Sequence, residues 1–159
     1  MNYMQWALVG FLGLSVHAYG ADPVWLKDKT EQSYSINVYR SASCGCCKGW
    51  ISHLKAHNFT VNDVVVSNVT PHKQRLGVPA NGASCHTAEV NGKVIEGHVP
   101  AQDIKRLLAT ENHVRLLTVP GMPFGGPGMD SDGARKDAFT VYAIDEQNRV
   151  GSYHEYADY

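Results

Sequence analysis

A chain of 159 residues, 43% hydrophobic and 18% charged, is long enough for one cored domain with an appendage and too apolar for a disordered segment. Its formal net charge of −1, with no basic run, excludes the electrostatic footprint of a nucleic-acid binder or of a protein that docks on anionic membranes.

Taken in chain order, Trp6 to Val16 is an apolar run of signal-peptide length, and Ala18-Tyr19-Gly20 supplies small residues at the two positions a signal peptidase reads. The run is shorter than the roughly 20 residues of a membrane span. Residues 1–20 are therefore predicted to be a signal peptide, although its n-region lacks Lys and Arg. The mature chain would begin near Ala21, in an oxidising compartment and without a membrane attachment, and residues 21–33 would be a lead-in.

Tyr34 to Arg40 alternates apolar and polar residues and is predicted as a strand. Cys44-Gly45-Cys46-Cys47 follows at once. From Cys47 a helix is predicted, since Cys47, Trp50, Ile51 and Leu54 fall on one stripe, and Asn58 suits the left-handed position that ends it. Phe59 to Val66 is a second strand. Thr70-Pro71 reads as an N-cap with Pro at the first helical position, and Gly77 closes that short helix. Ser84 to Val90 and Lys93 to His98 flank Asn91-Gly92, a strong hairpin signal. Pro100 opens a last helix, with Ile104, Leu107 and Leu108 on one side. Pro120 to Gly133 is too rich in Gly and Pro for regular structure. Phe139 to Ile144 and Val150 to Tyr156 form a closing hairpin. The predicted fold is α/β: a thioredoxin-like β-α-β-α-β-β-α core over residues 34–111, then a C-terminal extension over 112–159 that carries the Gly/Pro/Met loop and the hairpin.

Four cysteines in an exported chain suggest two disulfides. The spacing fits poorly, because Cys46 and Cys47 are adjacent and a Cys44–Cys46 ring is very small. At most one of the three pairs easily with Cys85, and a leftover thiol points to metal or redox chemistry. Topology gathers further candidates. If the third strand lies antiparallel beside the first, its start lies beside Cys44, which brings Cys85 there. The end of the fourth strand returns to the same edge with His98. His86 joins only if it and Cys85 precede the regular strand, since strand neighbours point to opposite faces.

The helix N-terminus favours thiolate. Cys44 and Cys47 have Cys-x-x-Cys spacing and are the candidate redox pair, Cys44 attacking and Cys47 resolving. Cys46 is extra; it complicates thiol exchange and suits the gathering of a soft metal. Met122 and Met129 are thioethers in the Gly/Pro loop, ligands that select Cu(I), against the ordinary role of Met as a gap-filler. His53 and His57 share a helix face and are read as a solvated pair. Trp50 is read as core, and Asp63 has no acid/base role. A zinc site would usually use two separated Cys-x-x-Cys hooks, and this chain has one. The sulfur-rich set tilts to copper, with several Cu(I) ions bridged by thiolates as one form of the site.

Cys44-Gly45-Cys46-Cys47-Lys48-Gly49-Trp50, Ser84-Cys85-His86-Thr87-Ala88, Ile95-Glu96-Gly97-His98-Val99-Pro100 and Pro120-Gly121-Met122-Pro123 with Pro127-Gly128-Met129 closely resemble CopG, the periplasmic copper-resistance family, in order across nearly all of the mature chain. The resemblance implies a thioredoxin-like domain, an extension that helps bind copper, a periplasmic location in Gram-negative bacteria, and interconversion of Cu(I) and Cu(II) in aid of export. It implies metal residues Cys44, Cys46, Cys47 and Cys85, joined by His86, His98, Met122 and Met129. Copper ions and periplasmic copper-efflux components are the expected partners, with a monomeric chain and no nucleic acid. Departures from the family pattern fall at Gly126, Asp130 and His57-Asn58. A thiol–disulfide oxidoreductase and a passive copper store or carrier are the competing readings.

Overall fold

Strand β1, Tyr34–Arg40, buries alternate residues Ile36, Val38 and Arg40, as its pattern predicts. Helix α1, Gly45–Ala56, begins two residues earlier than the apolar stripe indicates, so that Cys44 is its N-cap residue. Its stripe of Cys47, Trp50, Ile51 and Leu54 is buried, and Asn58 takes φ +64° where the chain turns back. Strand β2, Phe59–Val65, runs parallel to β1, as a strand–helix–strand crossover requires. In helix α2, Thr70–Arg75, Thr70 is the first helical residue rather than the cap; the Asn68 side chain accepts from the Thr70 N–H at 2.9 Å.

Strands β3, Thr87–Val90, and β4, Lys93–Glu96, form the expected hairpin, with Asn91 and Gly92 both at positive φ. Helix α3, Ala101–Leu108, follows Pro100. Strand β5, Val114–Thr118, is parallel to β4 and was not anticipated. Strands β6, Phe139–Asp145, and β7, Val150–Tyr156, close the chain as an antiparallel hairpin.

The computed structural model describes residues 22–110, 113–131, 133 and 135–159; the signal-peptide expectation for residues 1–20 lies outside them. The seven strands form one mixed sheet in the order β2-β1-β3-β4-β5-β6-β7, with β3 antiparallel beside β1. Neighbouring residues face opposite sides of a strand. Ile95 and Leu117 accordingly join the main core beneath α1 and α3, while Val94 and Leu116 join Ile144, Leu76 and Val78 in a smaller cluster.

The lead-in is tied to the far end of the chain. A 3-10 turn at Pro23–Leu26 buries Trp25, whose indole N–H donates to the Gly125 carbonyl at 2.8 Å. Its ring meets those of His53, Phe139, Tyr156 and Tyr159. No helix among the described residues is long and apolar enough to cross a membrane.

Candidate metal centre

The end of β1 and the first turn of α1 bring three sulfurs to one place, and the segment before β3 brings the fourth. Cys44 and Cys47 are joined in a disulfide, with Cα atoms 5.3 Å apart. Cys46 and Cys85 are free thiols. The Cys46 Sγ lies 3.6 Å from that of Cys44 and 3.7 Å from that of Cys85, and Cys85 lies 3.6 Å from Cys47. Cys47 is fully buried, whereas Cys44, Cys46 and Cys85 are half-buried.

Two imidazoles complete the cluster. Because β3 starts at Thr87, Cys85 and His86 precede the regular strand and need not alternate. His86 Nδ1 is 3.3 Å from the Cys85 sulfur, and His98 Nε2 is also 3.3 Å from it. His98 Nδ1 donates to the Pro127 carbonyl at 2.9 Å. A carbonyl only accepts, so the His98 proton sits on Nδ1 and the Nε2 lone pair faces Cys85. A metal-binding histidine is commonly oriented in this way. His86 packs against Trp50, with ring centres 4.4 Å apart, and its Nε2 is buried without a hydrogen-bond partner.

Burial sets the protonation states. It pushes the Cys85 thiol up to about 12, and neighbouring Cys46 adds to the shift. It also holds His86 well below the usual histidine range, with His98 and then Lys73 acting in the same direction. His98 is lowered by burial against the opposing pull of the Pro127 hydrogen bond. Both imidazoles therefore keep a lone pair at neutral pH, and a soft cation at Cys85 would have to displace a proton.

Sequence reasoning missed the groups that hold these donors. Glu96, fully buried, accepts the Ser84 N–H at 2.6 Å and pairs with Lys73 of α2, fixing the residue before Cys85. The available signal was an acid ending the apolar run Val94-Ile95. Asp130 accepts the Gly128 N–H and the Asp22 N–H, both at 2.9 Å, and so ties the Gly/Pro loop to the lead-in. No local signal marked that pairing, which spans 108 residues.

The loop lies over the site by its backbone. Gly128 rests on α1, where a Cβ would come within 2.4 Å of the Trp50 nitrogen and 2.8 Å of the Cys46 carbonyl oxygen. Gly121 accepts from the Ser84 hydroxyl, and its N–H donates to Ala83 at 3.3 Å. Met129 is half-buried and Met122 is 53% exposed. Six of the eight expected metal residues thus form a contact cluster; Met129 adjoins Gly128, which packs on the Cys46–Trp50 turn, and Met122 adjoins Gly121, which is bonded to Ser84 beside Cys85.

The histidine pair on α1 corrects the sequence reading. His53 and His57 are buried rather than solvated. His53 Nε2 accepts the Ala101 N–H at the start of α3, at 2.9 Å, and His57 Nε2 donates to the Trp25 carbonyl at 2.6 Å. The lead-in and α3 cover a face that looks polar in sequence. Asp63 forms a two-pronged ion pair with Arg40, at 2.6 and 2.8 Å, and Trp50 is core as expected.

With this geometry in view, the likenesses to known proteins are specific. A family model described as "Protein of unknown function, DUF411" matches residues 82–129, a span that holds Cys85, His86, His98 and both loop methionines. No curated protein matches the chain. A solved structure titled "Copper resistance protein copG- Form 2" is 43% identical, with a TM-score of 0.74, and the match covers 79% of this chain and 99% of that one. A second, "Copper resistance protein copG- Form 1", is 42% identical with the same TM-score, covering 80% and 100%. The chain belongs to the CopG family of copper-resistance proteins. In this CopG family member, Cys85 is the sulfur common to both groups of metal-capable donors, Cys44-Cys46-Cys47-Cys85 and Cys85-His86-His98.

Proposed function

We propose that this CopG family member is a periplasmic protein of copper resistance that binds copper at its cysteine cluster and interconverts Cu(I) and Cu(II) to aid detoxification and export. The observation that carries the reading is the meeting of four cysteine sulfurs with two neutral imidazoles at the N-terminus of α1. Thiolate and imidazole together suit copper in both oxidation states. In this reading Cys44, Cys46, Cys47 and Cys85 are ligands, His86 and His98 add nitrogen donors, and Met122 and Met129 close over the ion from the loop. The set exceeds what one tetrahedral ion takes, so thiolates would bridge more than one Cu(I).

The same proposal takes residues 34–111 as a thioredoxin-like unit and 112–159 as its extension. It takes residues 1–20 as a cleaved signal peptide, the mature chain as a monomer, and efflux components as recipients of the copper. The Cys44–Cys47 bridge favours a second reading, a thiol–disulfide oxidoreductase. Against it, the Cys46 and Cys85 sulfurs lie within 3.6 Å of the pair and would compete for any mixed disulfide.

Anaerobic titration of the reduced protein with Cu(I), against a competing cuprous chelator, separates the two. Copper retention with a thiolate-to-copper charge-transfer band is expected. No retained copper, together with efficient reduction of a test disulfide, would favour the oxidoreductase.

A further inference from the structure

The four cysteines are not equivalent. Two are joined and two are free, yet metal-capable donors remain when the bridge is closed. Cys46 Sγ, Cys85 Sγ, His86 Nδ1 and His98 Nε2 take no part in the disulfide. The Cys46–Cys85 separation is 3.7 Å, and each nitrogen is 3.3 Å from Cys85. Donors on one tetrahedral ion with bonds of about 2.0–2.3 Å stand about 3.3–3.8 Å apart, so Cys85, His86 and His98 are spaced to share one metal, and Cys46 joins them through the Cys85 sulfur, which can bridge to a second ion.

We propose that Cys44 and Cys47 are the electron store of the site, and that Cys46, Cys85, His86 and His98 are the set that keeps hold of copper once the store is spent. The proposal rests on the copper-binding reading above and assigns the source of electrons within it. In the reduced chain the Cys44 and Cys47 thiols lose two protons and two electrons and form one S–S bond. Two Cu(II) ions each take one electron and become Cu(I). The protons pass to solvent, and Cys46 and Cys85, each releasing its own thiol proton on binding, hold the cuprous product as thiolates together with the two imidazoles.

Resetting the store requires a dithiol reductant. Cys47 is fully buried and Cys44 half-buried, so the incoming thiolate attacks the Cys44 sulfur and Cys47 leaves as a thiolate. The N-terminus of α1 stabilises that leaving charge. The reductant's second thiol then attacks the mixed disulfide, releases Cys44 and carries away the oxidised pair. The odd cysteine of the motif thereby gains a role: Cys46 stays unoxidised through the cycle and keeps the product bound.

The test uses the wild-type chain. Fully reduced, desalted protein is mixed anaerobically with two equivalents of cupric sulfate. Cu(I) is counted with a cuprous chelator, and thiols are mapped by alkylation and peptide mass spectrometry. Two Cu(I) per chain, a Cys44–Cys47 cross-linked peptide, and alkylated Cys46 and Cys85 are expected. A bridge that includes Cys46 or Cys85, or no reduction of Cu(II), overturns the assignment. In the second arm the disulfide form receives one equivalent of Cu(I) under a weak competing ligand, and retention of that equivalent is expected. Retention by the reduced form alone overturns the holding set and leaves the copper-binding reading standing. Retention by neither form overturns both.

Discussion

Gly128 shows how a single residue sets the distance between the loop and the cysteines. It has φ +87°, and its backbone packs against the Cys46–Trp50 turn so closely that a Cβ has no room. The neighbouring Pro127 carbonyl fixes His98, so the close approach and the orientation of a nitrogen donor depend on one another. A Gly128→Ala variant is expected to lose about 3 kcal/mol, from left-handed backbone strain plus overpacking against backbone atoms. Gly121 is the control: it has φ +71° but open space where a Cβ would go. Gly121→Ala is expected to lose about 1 kcal/mol, from strain alone. Urea unfolding of the two metal-free variants measures both. Equal losses would mean that the approach of residue 128 to α1 contributes nothing.

At the scale of elements, α3 is the clamp that holds the closing hairpin. Its Asp103 is fully buried and accepts from His154 Nδ1 and the Tyr156 hydroxyl of β7, both at 2.8 Å, while Arg106 approaches at 3.0 Å. Removing this buried acceptor leaves the half-buried Tyr156 hydroxyl and the more open His154 ring without their partner. Asp103→Ala is therefore expected to cost about 2 kcal/mol and to raise amide exchange in β6 and β7 more than in β1. Uniform loss of protection across the sheet would count against the clamp. These elements also show what a single sequence can reveal. Alternation and Asn-Gly made β1, β3–β4 and β6–β7 legible, and the antiparallel placement of β3 beside β1 brought Cys85 to the cysteines of α1 and His98 to Cys85 as topology required. The run Val114-Arg115-Leu116-Leu117-Thr118 escaped because a strand buried on both faces lacks alternation. The Asp103–His154 contact spans 51 residues and leaves no local signature. The polar look of His53 and His57 misled, because what covers them comes from the lead-in and from α3.

Those two histidines matter for the molecule as a whole, since they lie where the lead-in, α1 and α3 meet. Burial holds His53 down at about 3, from 6.5, and His57 on the same helix and Lys29 in the lead-in act in the same direction. Trp25 packs edge-on to its ring, and α3 presents the Ala101 N–H to Nε2. Between pH 6.5 and about 3 the unfolded chain binds a proton at His53 that the folded chain refuses. Stability is therefore complete above the unfolded value, falls as pH drops through it, and stops falling near the folded one. His53 alone is expected to remove about 2 kcal/mol between pH 8 and pH 5. The measurement is urea unfolding of the metal-free protein at several pH values, beside His53→Gln, whose side-chain oxygen can still accept the Ala101 N–H. Below pH 6 the variant's stability is expected to slope less steeply, by about 1.4 kcal/mol per pH unit. If both proteins lose stability in parallel, the acid sensitivity arises elsewhere. A shallower slope in the variant would place it where the two ends of the chain are joined, because the same contacts carry Trp25 and, through its indole N–H, the Gly125 carbonyl of the loop over the cysteines.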